Sequence, residues 1–390
     1  MNHSDPTEPR RLRIGVVTAI PTPYRDPFWN VVSSLEGVDL ELIYCARNKG
    51  DRPWDVSWDQ NYRAHYPKAM NLASRFGKSA SLYWNPDIRG ILRGSKFDGL
   101  IIGGYNHLTM LWAIYYAKRR GIPYFLASES YLQQSRAKWK HFIKSWFVRL
   151  IVTQARGCFP TGALASDYLV HYGARREDLC AVPNIPNVNA FHGKAQALAT
   201  QRAMIRRELG LKKVTILFVG RFIAMKGGHY LIEAFRRLVS TIDAELIMLG
   251  DGPKRSEWES LVRKLDLSDK VRFEGFQAPE SLPKWFAAAD LMCLPSTNET
   301  WSVVVLEALS SGLQVVVTDR VGCYPNAVTN STVGSVVSAG SAESLEHGIR
   351  SQIEKKVSHS EVHNAWIETR ETFSYELVAR RLVESLHKWC

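Results

Sequence analysis

Glu299 and Glu307 are two carboxylates separated by seven residues near the C-terminal end of the chain. Apolar runs at 291–294 and 315–317 predict strands on either side, with a loop carrying Glu299 and then a helix carrying Glu307 between them. The first turn of a helix has N–H groups that attract phosphate, whereas carboxylates accept hydrogen bonds from hydroxyls. The pair therefore suits a ligand with both groups, such as a nucleotide sugar. The alternative is two surface glutamates on an ordinary helix.

A second cluster lies upstream, where Arg221 and Lys226 share one loop. The pattern of residues 215–220 predicts a buried parallel strand before this loop, and 230–238 predicts a helix after it. Open α/β sheets bind ligands on loops at the carboxyl ends of their strands. A forked guanidinium and a mobile ammonium on such a loop can hold a diphosphate from two sides, although either cation alone is more often a solvated surface group.

Together these segments resemble the donor-binding domain of glycosyltransferase family 4, the retaining enzymes of the GT-B fold, from about residue 214 to 328. The resemblance implies an α/β protein in which two Rossmann-like, doubly wound domains face each other across a cleft. Within the family, the segment 318–323 resembles that of a branch common among bacterial surface-polysaccharide transferases. The motifs that carry the resemblance are Gly220-Arg221 with Lys226-Gly227, Gly250-Asp251-Gly252-Pro253, the segments 271–276 and 282–290, the Glu-x7-Glu element, and Ala308-Leu309-Ser310-Ser311-Gly312.

The resemblance also implies roles for individual residues. Arg221 and Lys226 would hold the donor diphosphate, Glu299 would receive a hexose hydroxyl, and Glu307 would bind the ribose hydroxyls. These two cations and Glu299 are thus candidate catalytic residues. The remaining candidate donor-binding residues are Gly220 and Gly252 in the glycine turns, Phe276 and Gln277 facing the base, and the backbone of Thr300, Trp301 and Ser302.

The chain departs from the family pattern at several positions. The family usually has glycine where Ser302 stands and proline where Gln314 stands. Ser302 adds a side chain where backbone usually approaches the ligand closely. Related enzymes often have a histidine at the end of the strand 124–127, whereas this chain has Ser128-Glu129-Ser130. Glu129 is therefore the candidate acid/base in that position, with an ordinary loop carboxylate as the alternative.

The acceptor side is assigned to the first half of the chain. The first strand ends in a loop with three prolines, and this loop lacks the glycine pair of many family members, so we predict no phosphate role for it. Its Tyr24 and Arg25 are candidate acceptor-side residues because they follow a strand's carboxyl end. Tyr105 and His107 follow the strand at 97–102 and are weaker candidates, since a lone histidine usually packs or caps.

Length and composition predict two α/β domains in 390 residues. We expect a polar N-terminus at 1–11, an acceptor-binding domain at 12–190, a donor-binding domain at 191–370, and a C-terminal helix at 371–390 that, by resemblance, crosses back to the first domain. The polar start has no apolar core typical of a signal peptide, and no apolar run approaches the roughly 20 residues that span a bilayer. Six cysteines without CxxC spacing indicate a reduced, cytoplasmic protein without a structural zinc site.

The net charge of +12 is concentrated in the first half, which has 26 Lys and Arg against 15 Asp and Glu up to residue 195. Such a surface implies an anionic partner. In residues 136–150, apolar residues from Trp139 to Leu150 share one helical face beside a cationic stripe. This pattern is typical of an interfacial helix on an anionic membrane, and also of a helix packed inward on its sheet. The predicted membrane contacts are Arg136, Lys138, Lys140, Lys144 and Arg149.

The predicted function is transfer, with retention, of a hexose-type sugar from a nucleotide donor to a lipid-linked or oligosaccharide acceptor at the inner face of the cell membrane. No Asp-x-Asp motif is present, so we expect cations to replace a metal ion and no cofactor to be needed. The alternatives are an anionic-partner-binding protein and a sugar-nucleotide epimerase of the same fold. A nicotinamide enzyme is disfavoured because Gly250-Asp251-Gly252-Pro253 lacks the third glycine, and no nucleic-acid motif is present.

Overall fold

The computed structural model describes residues 11–47, 59–73, 81–132 and 138–390, with the backbone but not the side chains of 138–144. The chain forms two compact units, Met1–Ile185 with Tyr375–Cys390 and Pro186–Ser374. The boundaries predicted from the sequence, at residues 190 and 370, lie near these two divisions.

The first unit is a sheet covered by helices. Its strands are β1 (Leu12–Thr18), β2 (Val38–Tyr44), β3 (Arg63–His65), β4 (Met70–Asn71), β5 (Tyr83–Trp84), β6 (Gly99–Ile102), β7 (Tyr124–Ser128) and β8 (Gly157–Pro160). Its helices are α1 (Asp26–Ser33), α2 (Ile88–Gly94), α3 (Leu108–Arg120), α4 (Lys138–Thr153), α5 (Ala163–His171) and, after the second unit, α15 (Tyr375–Trp389).

The second unit repeats this alternation of strands and helices. Its strands are β9 (Val214–Val219), β10 (Ala244–Leu249), β11 (Val271–Gly275), β12 (Leu291–Leu294), β13 (Val315–Thr318) and β14 (Gly334–Val337). Its helices are α6 (Val188–Ala199), α7 (Arg202–Glu208), α8 (Gly228–Leu238), α9 (Arg255–Lys264), α10 (Leu282–Ala288), α11 (Val303–Ser310), α12 (Tyr324–Ala327), α13 (Ala342–Lys355) and α14 (His359–Thr372).

Both units contain a six-stranded parallel sheet with the same spatial order. The order is β3-β2-β1-β6-β7-β8 in the first unit and β11-β10-β9-β12-β13-β14 in the second. The direction of winding therefore reverses between β1 and β6, and again between β9 and β12. Loops diverge at such a switch point and leave a crevice at the carboxyl ends of the strands, where doubly wound sheets bind ligands.

The last helix belongs to the core of the first unit. Trp389 stacks on Phe125 of β7 with ring centroids 5.9 Å apart, and lies 5.5 Å from Phe159 of β8. At the other end of α15, Tyr375 packs on Phe28 of α1 at 6.2 Å. The helix thus covers β7, β8 and α1 with buried aromatic rings.

Helix α4 buries a different face from its aromatic one. Val148, Ile151 and Val152 are buried against the sheet core, whereas Trp146 is 65% exposed and Phe147 and Leu150 are also exposed. The aromatic face therefore points outward over this part of the helix, which contradicts the alternative in which that face packs on the sheet and leaves the interfacial alternative as a prediction. The reason is that 148, 151 and 152 form a second apolar stripe at helical spacing, and its branched side chains fit the sheet.

Candidate active site

The two predicted clusters of the second unit meet at its switch point. Arg221 and Lys226 lie on the loop after β9, and Glu299 lies on the loop after β12, the neighbouring strand. The side chains of Lys226 and Glu299 form an ion pair, and both are mostly buried. A cation and a carboxylate that are far apart in the sequence are thus in direct contact at the crevice.

A close backbone approach brings the two loops together. Gly227 has φ of +68°, and a Cβ atom there would lie 2.1 Å from the carbonyl oxygen of Pro295. The N–H of Thr297 also donates to the carbonyl of Met225 at 2.8 Å. Only glycine fits at this crossing, so the Lys226-Gly227 motif both supplies the ammonium and lets its loop reach the end of β12.

The segment from Glu299 to Trp301 is held by backbone bonds to the chain after β13. The N–H of Glu299 donates to Arg320, and the N–H groups of Gly322 and Cys323 donate to Glu299 and Trp301, at 2.8–3.0 Å. A Cβ at Gly322 would lie 2.0 Å from the Thr300 carbonyl oxygen, so this contact also needs glycine. The indole of Trp301 is buried against Phe373. Trp301 therefore acts as an anchor, as expected for a residue whose predicted role is in its backbone.

Ser302 is the N-cap of α11 and has an unusual backbone, with φ of +98° and ψ of +94°. This conformation favours glycine, the residue that the family resemblance places here. The side chain is buried, and its hydroxyl oxygen has no hydrogen-bond partner among the described residues. The chain thus keeps the glycine conformation while placing a strained serine at the helix entrance.

Glu307 lies one turn into α11, on a half-buried position. Burial raises the pKa of its carboxyl from 4.5 to about 7. The structure shows no hydrogen bond or ion pair to this carboxyl within the described residues. A carboxyl that is desolvated without a protein partner is a strong acceptor for ligand hydroxyls once it is ionised.

The remaining donor-side candidates surround the same loops. Arg221 is exposed beside Gly220, whose N–H donates to the Leu249 carbonyl at 3.0 Å. Gly252 lies on the adjoining turn after β10. Phe276 is 63% exposed after β11, whereas the side chain of Gln277 is engaged within the protein. Gln277 accepts from the Trp285 indole and donates to the Glu274 carbonyl, so its neighbour Phe276 is the more available surface for a base.

In the first unit, two candidates form a network with a third residue that the sequence did not single out. Arg25, after β1, is ion-paired with Glu129, after β7. Asn184 accepts from the Arg25 Nε at 2.7 Å and donates to the same Glu129 oxygen at 2.9 Å. The three side chains close a ring that orients the Glu129 carboxylate. The sequence did not indicate a role for Asn184, because its partners are distant in the sequence.

The other acceptor-side candidates differ in their surroundings. The backbone carbonyl of Tyr24 accepts from the Tyr375 hydroxyl at 3.4 Å, and the Tyr105 and Tyr168 hydroxyls lie 2.5 Å apart. His107 is buried at the start of α3, where its Nδ1 accepts from the Tyr83 N–H at 3.3 Å. The His107 contacts are those of a structural histidine, because its ring nitrogen accepts a hydrogen bond from the backbone of a neighbouring strand.

The predicted membrane residues lie only partly within the described chain. Arg136 lies outside the described residues, and so do the side chains of Lys138, Lys140 and Lys144, whose backbone is helical in α4. Arg149 is exposed next to Trp146, Phe147 and Leu150. Among the described residues, no helix is both long and apolar enough to cross a bilayer. Over the same residues, no three His, Cys, Asp or Glu side chains cluster in a way that could hold a metal ion.

Residues 201–372 match the sequence family described as "Glycosyl transferases group 1". The second unit carries a glycosyltransferase group 1 domain. This domain contains both switch-point loops, the Lys226–Glu299 pair and Glu307. The first unit lies outside the match.

A curated relative of this glycosyltransferase group 1 domain is the D-inositol 3-phosphate glycosyltransferase of Corynebacterium kroppenstedtii. It is 35% identical over 187 residues, which are 45% of this chain and 41% of the relative. The chain spans about half or less of the length of the first curated relatives that it matches.

Solved structures extend the similarity in fold to both units. The structure of Alr3699/HepE from Anabaena in complex with UDP is 16% identical, covers 97% of this chain and 100% of that one, and has a TM-score of 0.75. The structure of WaaG, described as a glycosyltransferase involved in lipopolysaccharide biosynthesis, is 18% identical, with coverage of 95% and 98% and a TM-score of 0.65. The fold consists of two Rossmann-like α/β domains of the GT-B class, as predicted, while the cleft between them stays a prediction.

Proposed function

We propose that this protein is a retaining glycosyltransferase that moves a hexose-type sugar from a nucleotide-diphosphate donor to a lipid-linked saccharide in polysaccharide or glycoconjugate synthesis. The contact between Lys226 and Glu299 at the switch point carries the proposal. A donor bound there would meet an ammonium for its diphosphate and a carboxylate for a sugar hydroxyl, side by side. Glu307, on the helix that follows, would take the ribose hydroxyls. The UDP complexes of proteins with this fold are consistent with such a donor.

The chemistry follows from these charges. In transfer, the bond between the sugar C1 and the diphosphate oxygen breaks, and a bond from C1 to the acceptor oxygen forms. Lys226, Arg221 and the N-terminus of α11 stabilise the negative charge that develops on the departing diphosphate. The acceptor hydroxyl gives its proton to that diphosphate when it attacks the same face of the sugar. The alternative for retention is a covalent intermediate with a carboxylate such as Glu129.

Two cations and a helix terminus supply the stabilisation that a metal ion provides in other transferases, so the proposed reaction uses no metal or other cofactor. Arg25, Glu129 and Asn184 form the proposed acceptor-side network of the first unit. Tyr24 and Tyr105 are the further acceptor-side candidates.

The acceptor is proposed to be lipid-linked because the first half of the chain carries the charge excess and α4 exposes an aromatic surface. Trp146, Phe147 and Leu150 are exposed beside Arg149. Indole and phenyl rings next to cations favour the interface of an anionic bilayer. The proposed location is therefore the cytoplasmic face of the cell membrane, with peripheral attachment and no nucleic-acid partner.

Donor hydrolysis with a panel of nucleotide sugars tests the proposal. We expect release of the nucleoside diphosphate from one donor, with loss of activity in Lys226→Met. Lys284→Met is the matched control, because Lys284 forms an exposed ion pair with Glu208 away from the switch point. Epimerised sugar nucleotide without hydrolysis would indicate an epimerase. Absence of any donor turnover together with binding of anionic polymers would instead indicate a binding protein.

A further inference from the structure

The second unit contains a cavity of about 720 Å³ at the edge of its sheet opposite to the switch-point loops. The cavity reaches the amino ends of β9, β12 and β13 at Val214, Asp290 and Gln314, and α6, α13 and α14 contribute its walls. The volume lies in the range of small-molecule binding sites. The Lys226–Glu299 pair lies beyond the carboxyl ends of β9 and β12, so this cavity is separate from the proposed donor site.

A buried amide lines the cavity without its full set of partners. Gln352 is 1% exposed, and its side-chain oxygen accepts from the Nε2 of Gln314 at 3.0 Å. Gln314 must present its amide nitrogen, because it also donates to the Thr332 carbonyl at 2.9 Å. The Gln352 nitrogen is thereby left as a donor with no partner among the described residues. An unsatisfied buried donor destabilises the fold, so an acceptor oxygen from a ligand would stabilise it.

Two histidines of the lining add further donors. The rings of His192 on α6 and His363 on α14 stack with centroids 3.9 Å apart and planes 7° from parallel. Burial lowers the pKa of both rings, that of His192 to about 4, with further lowering by the positive charge of Arg370. Both rings are therefore neutral at pH 7, and each carries one N–H. The His363 Nδ1 is buried and has no partner within the described part of the chain.

The charged groups of the lining favour an anion. Asp290 is the acidic residue of the lining, and it is already bound by Arg202 at 2.6 Å and Arg206 at 3.1 Å. Lys356 also lines the cavity, and none of the described side chains forms an ion pair with it. Helix α11 ends at Ser310 in the lining, and its carbonyls at residues 307–309 accept from the N–H groups of residues 311–313. The lining therefore has a surplus of donors and of positive charge.

We propose that this cavity is a second ligand site, which binds a small anionic metabolite through a phosphate or carboxylate group. Lys356 supplies the charge, and the Gln352 amide and the His363 ring supply hydrogen bonds. The site has a direct connection to the proposed donor site, because α11 follows its N-cap Ser302 and ends at Ser310, which lines the cavity with the C-cap Ser311. A ligand that shifts the end of this helix would shift Glu307 and the helix entrance with it.

Calorimetry with glycerol 3-phosphate, citrate and inorganic phosphate tests the proposal, and neutral glycerol is the matched control for the first probe. We expect at least one anion to bind and glycerol not to bind. Lys356→Gly removes the ammonium without backbone strain, because Lys356 has φ of +52°. Gln352→Leu removes the free donor, while Gln314 retains its hydrogen bond to the Thr332 carbonyl. Each change is expected to weaken anion binding at least tenfold.

Two further variants separate this site from its surroundings. Lys355→Ala removes the adjacent lysine, which bonds the Ser331 carbonyl and does not line the cavity, and it should leave anion binding unchanged. The double variant Arg221→Ala/Lys226→Ala should also retain anion binding, which distinguishes this cavity from the proposed donor site even if that proposal fails. The inference is overturned if no anion binds, if glycerol binds equally well, or if Lys356→Gly and Gln352→Leu bind as the unchanged protein does.

Discussion

Lys226 and Glu299 form a mostly buried ion pair that ties the loop after β9 to the loop after β12. In this pair each side chain neutralises the charge of the other. A diphosphate would compete with Glu299 for the ammonium, and a sugar hydroxyl would compete with Lys226 for the carboxylate. The two binding steps are therefore coupled through one contact.

The first prediction concerns this coupling. Glu299→Gln frees the ammonium, so the nucleoside diphosphate should bind as well as before or more tightly. The full nucleotide sugar should bind less tightly, because its hydroxyl then meets a neutral acceptor in place of a charged one. Lys226→Met should weaken both ligands by about 10- to 100-fold, as for loss of a charge-assisted hydrogen bond of roughly 1.5–3 kcal/mol. Calorimetry with the nucleoside diphosphate and with the nucleotide sugar measures the two affinities separately. Equal weakening of diphosphate and sugar nucleotide by Glu299→Gln would contradict the assignment.

The second prediction concerns Arg221 and Glu307. Alanine at either position should remove most of the nucleotide-sugar affinity and leave the fold intact, because each loses a contact worth roughly 1.5–3 kcal/mol. Arg207→Ala, which changes an exposed arginine of α7, serves as the control. Calorimetry measures donor binding, and unchanged binding in both variants would contradict the assignment of Arg221 and Glu307 to the donor site.

The third prediction uses the raised pKa of Glu307. The carboxyl binds its proton more tightly in the folded chain, where its pKa is about 7, than in the unfolded chain, where its pKa is about 4.5. The free energy of unfolding therefore loses a contribution as pH rises through this window. Glu307→Gln has no titrating carboxyl at this position, so its free energy of unfolding does not fall in this way. Between pH 5 and pH 8 the variant should gain on the order of 1–2 kcal/mol in free energy of unfolding relative to the unchanged protein, after allowance for partial exposure. Urea unfolding at the two pH values measures it, and a pH-independent difference would argue against a buried titrating carboxyl.

The fourth prediction is metal independence. Turnover should persist in excess EDTA, because Arg221, Lys226 and the α11 N-terminus supply the positive potential at the departing diphosphate. A chelated sample with magnesium added back is the control. Activity that disappears on chelation and returns with magnesium or manganese would show that the cations do not suffice.

The fifth prediction is peripheral attachment to anionic membranes through α4. Each cation near such a surface contributes on the order of 1 kcal/mol, screened over a Debye length of about 8–10 Å. Binding to vesicles with anionic lipid should fall with rising salt. It should be lost when Lys138, Lys140 and Lys144 become Glu, and reduced in Trp146→Ala.

Two controls accompany the vesicle experiment. Neutral vesicles should bind weakly, and Phe276→Ala, which removes an exposed ring of the second unit, should have no effect on binding. Vesicle binding that is insensitive to both salt and the lysine changes would favour a soluble acceptor.

The sixth prediction concerns the strained serine. Ser302→Gly should raise the free energy of unfolding by about 1 kcal/mol, because it relieves the positive φ and removes a buried hydroxyl without a described partner. Ser260→Gly, on the exposed face of α9, should instead lower it by about 0.5–1 kcal/mol. Denaturant unfolding compares the two, and destabilisation by both changes would mean that the φ of Ser302 carries no strain.

The sequence predicted those features that depend on short segments. The strand before Arg221 and the helix that carries Glu307 follow from local apolar periodicity, and the order of motifs predicted the fold of both units. The sequence left two alternatives open for the aromatic face of α4, because two apolar stripes overlap on one helix and periodicity alone does not say which stripe meets the sheet.

Contacts between distant residues could not be predicted in this way. The Arg25–Glu129–Asn184 ring joins three loops, and only the folded sheet brings their ends together. The cavity beside Gln352 is likewise formed by helices that are far apart in the chain. The positive φ of Ser302 could not be predicted from the residue type, because a serine, unlike a glycine, does not indicate a backbone of this kind.

Helix α15 has a consequence for how the chain matures. Its rings at Tyr375 and Trp389 complete the core around Phe28, Phe125 and Phe159, yet the helix follows the whole of the second unit in the sequence. The contiguous segment 186–374 contains every element of the second unit, whereas the core of the first unit is incomplete until residues 375–390 have been made. Closure of the first unit's core therefore depends on a helix that is synthesised after the whole of the second unit.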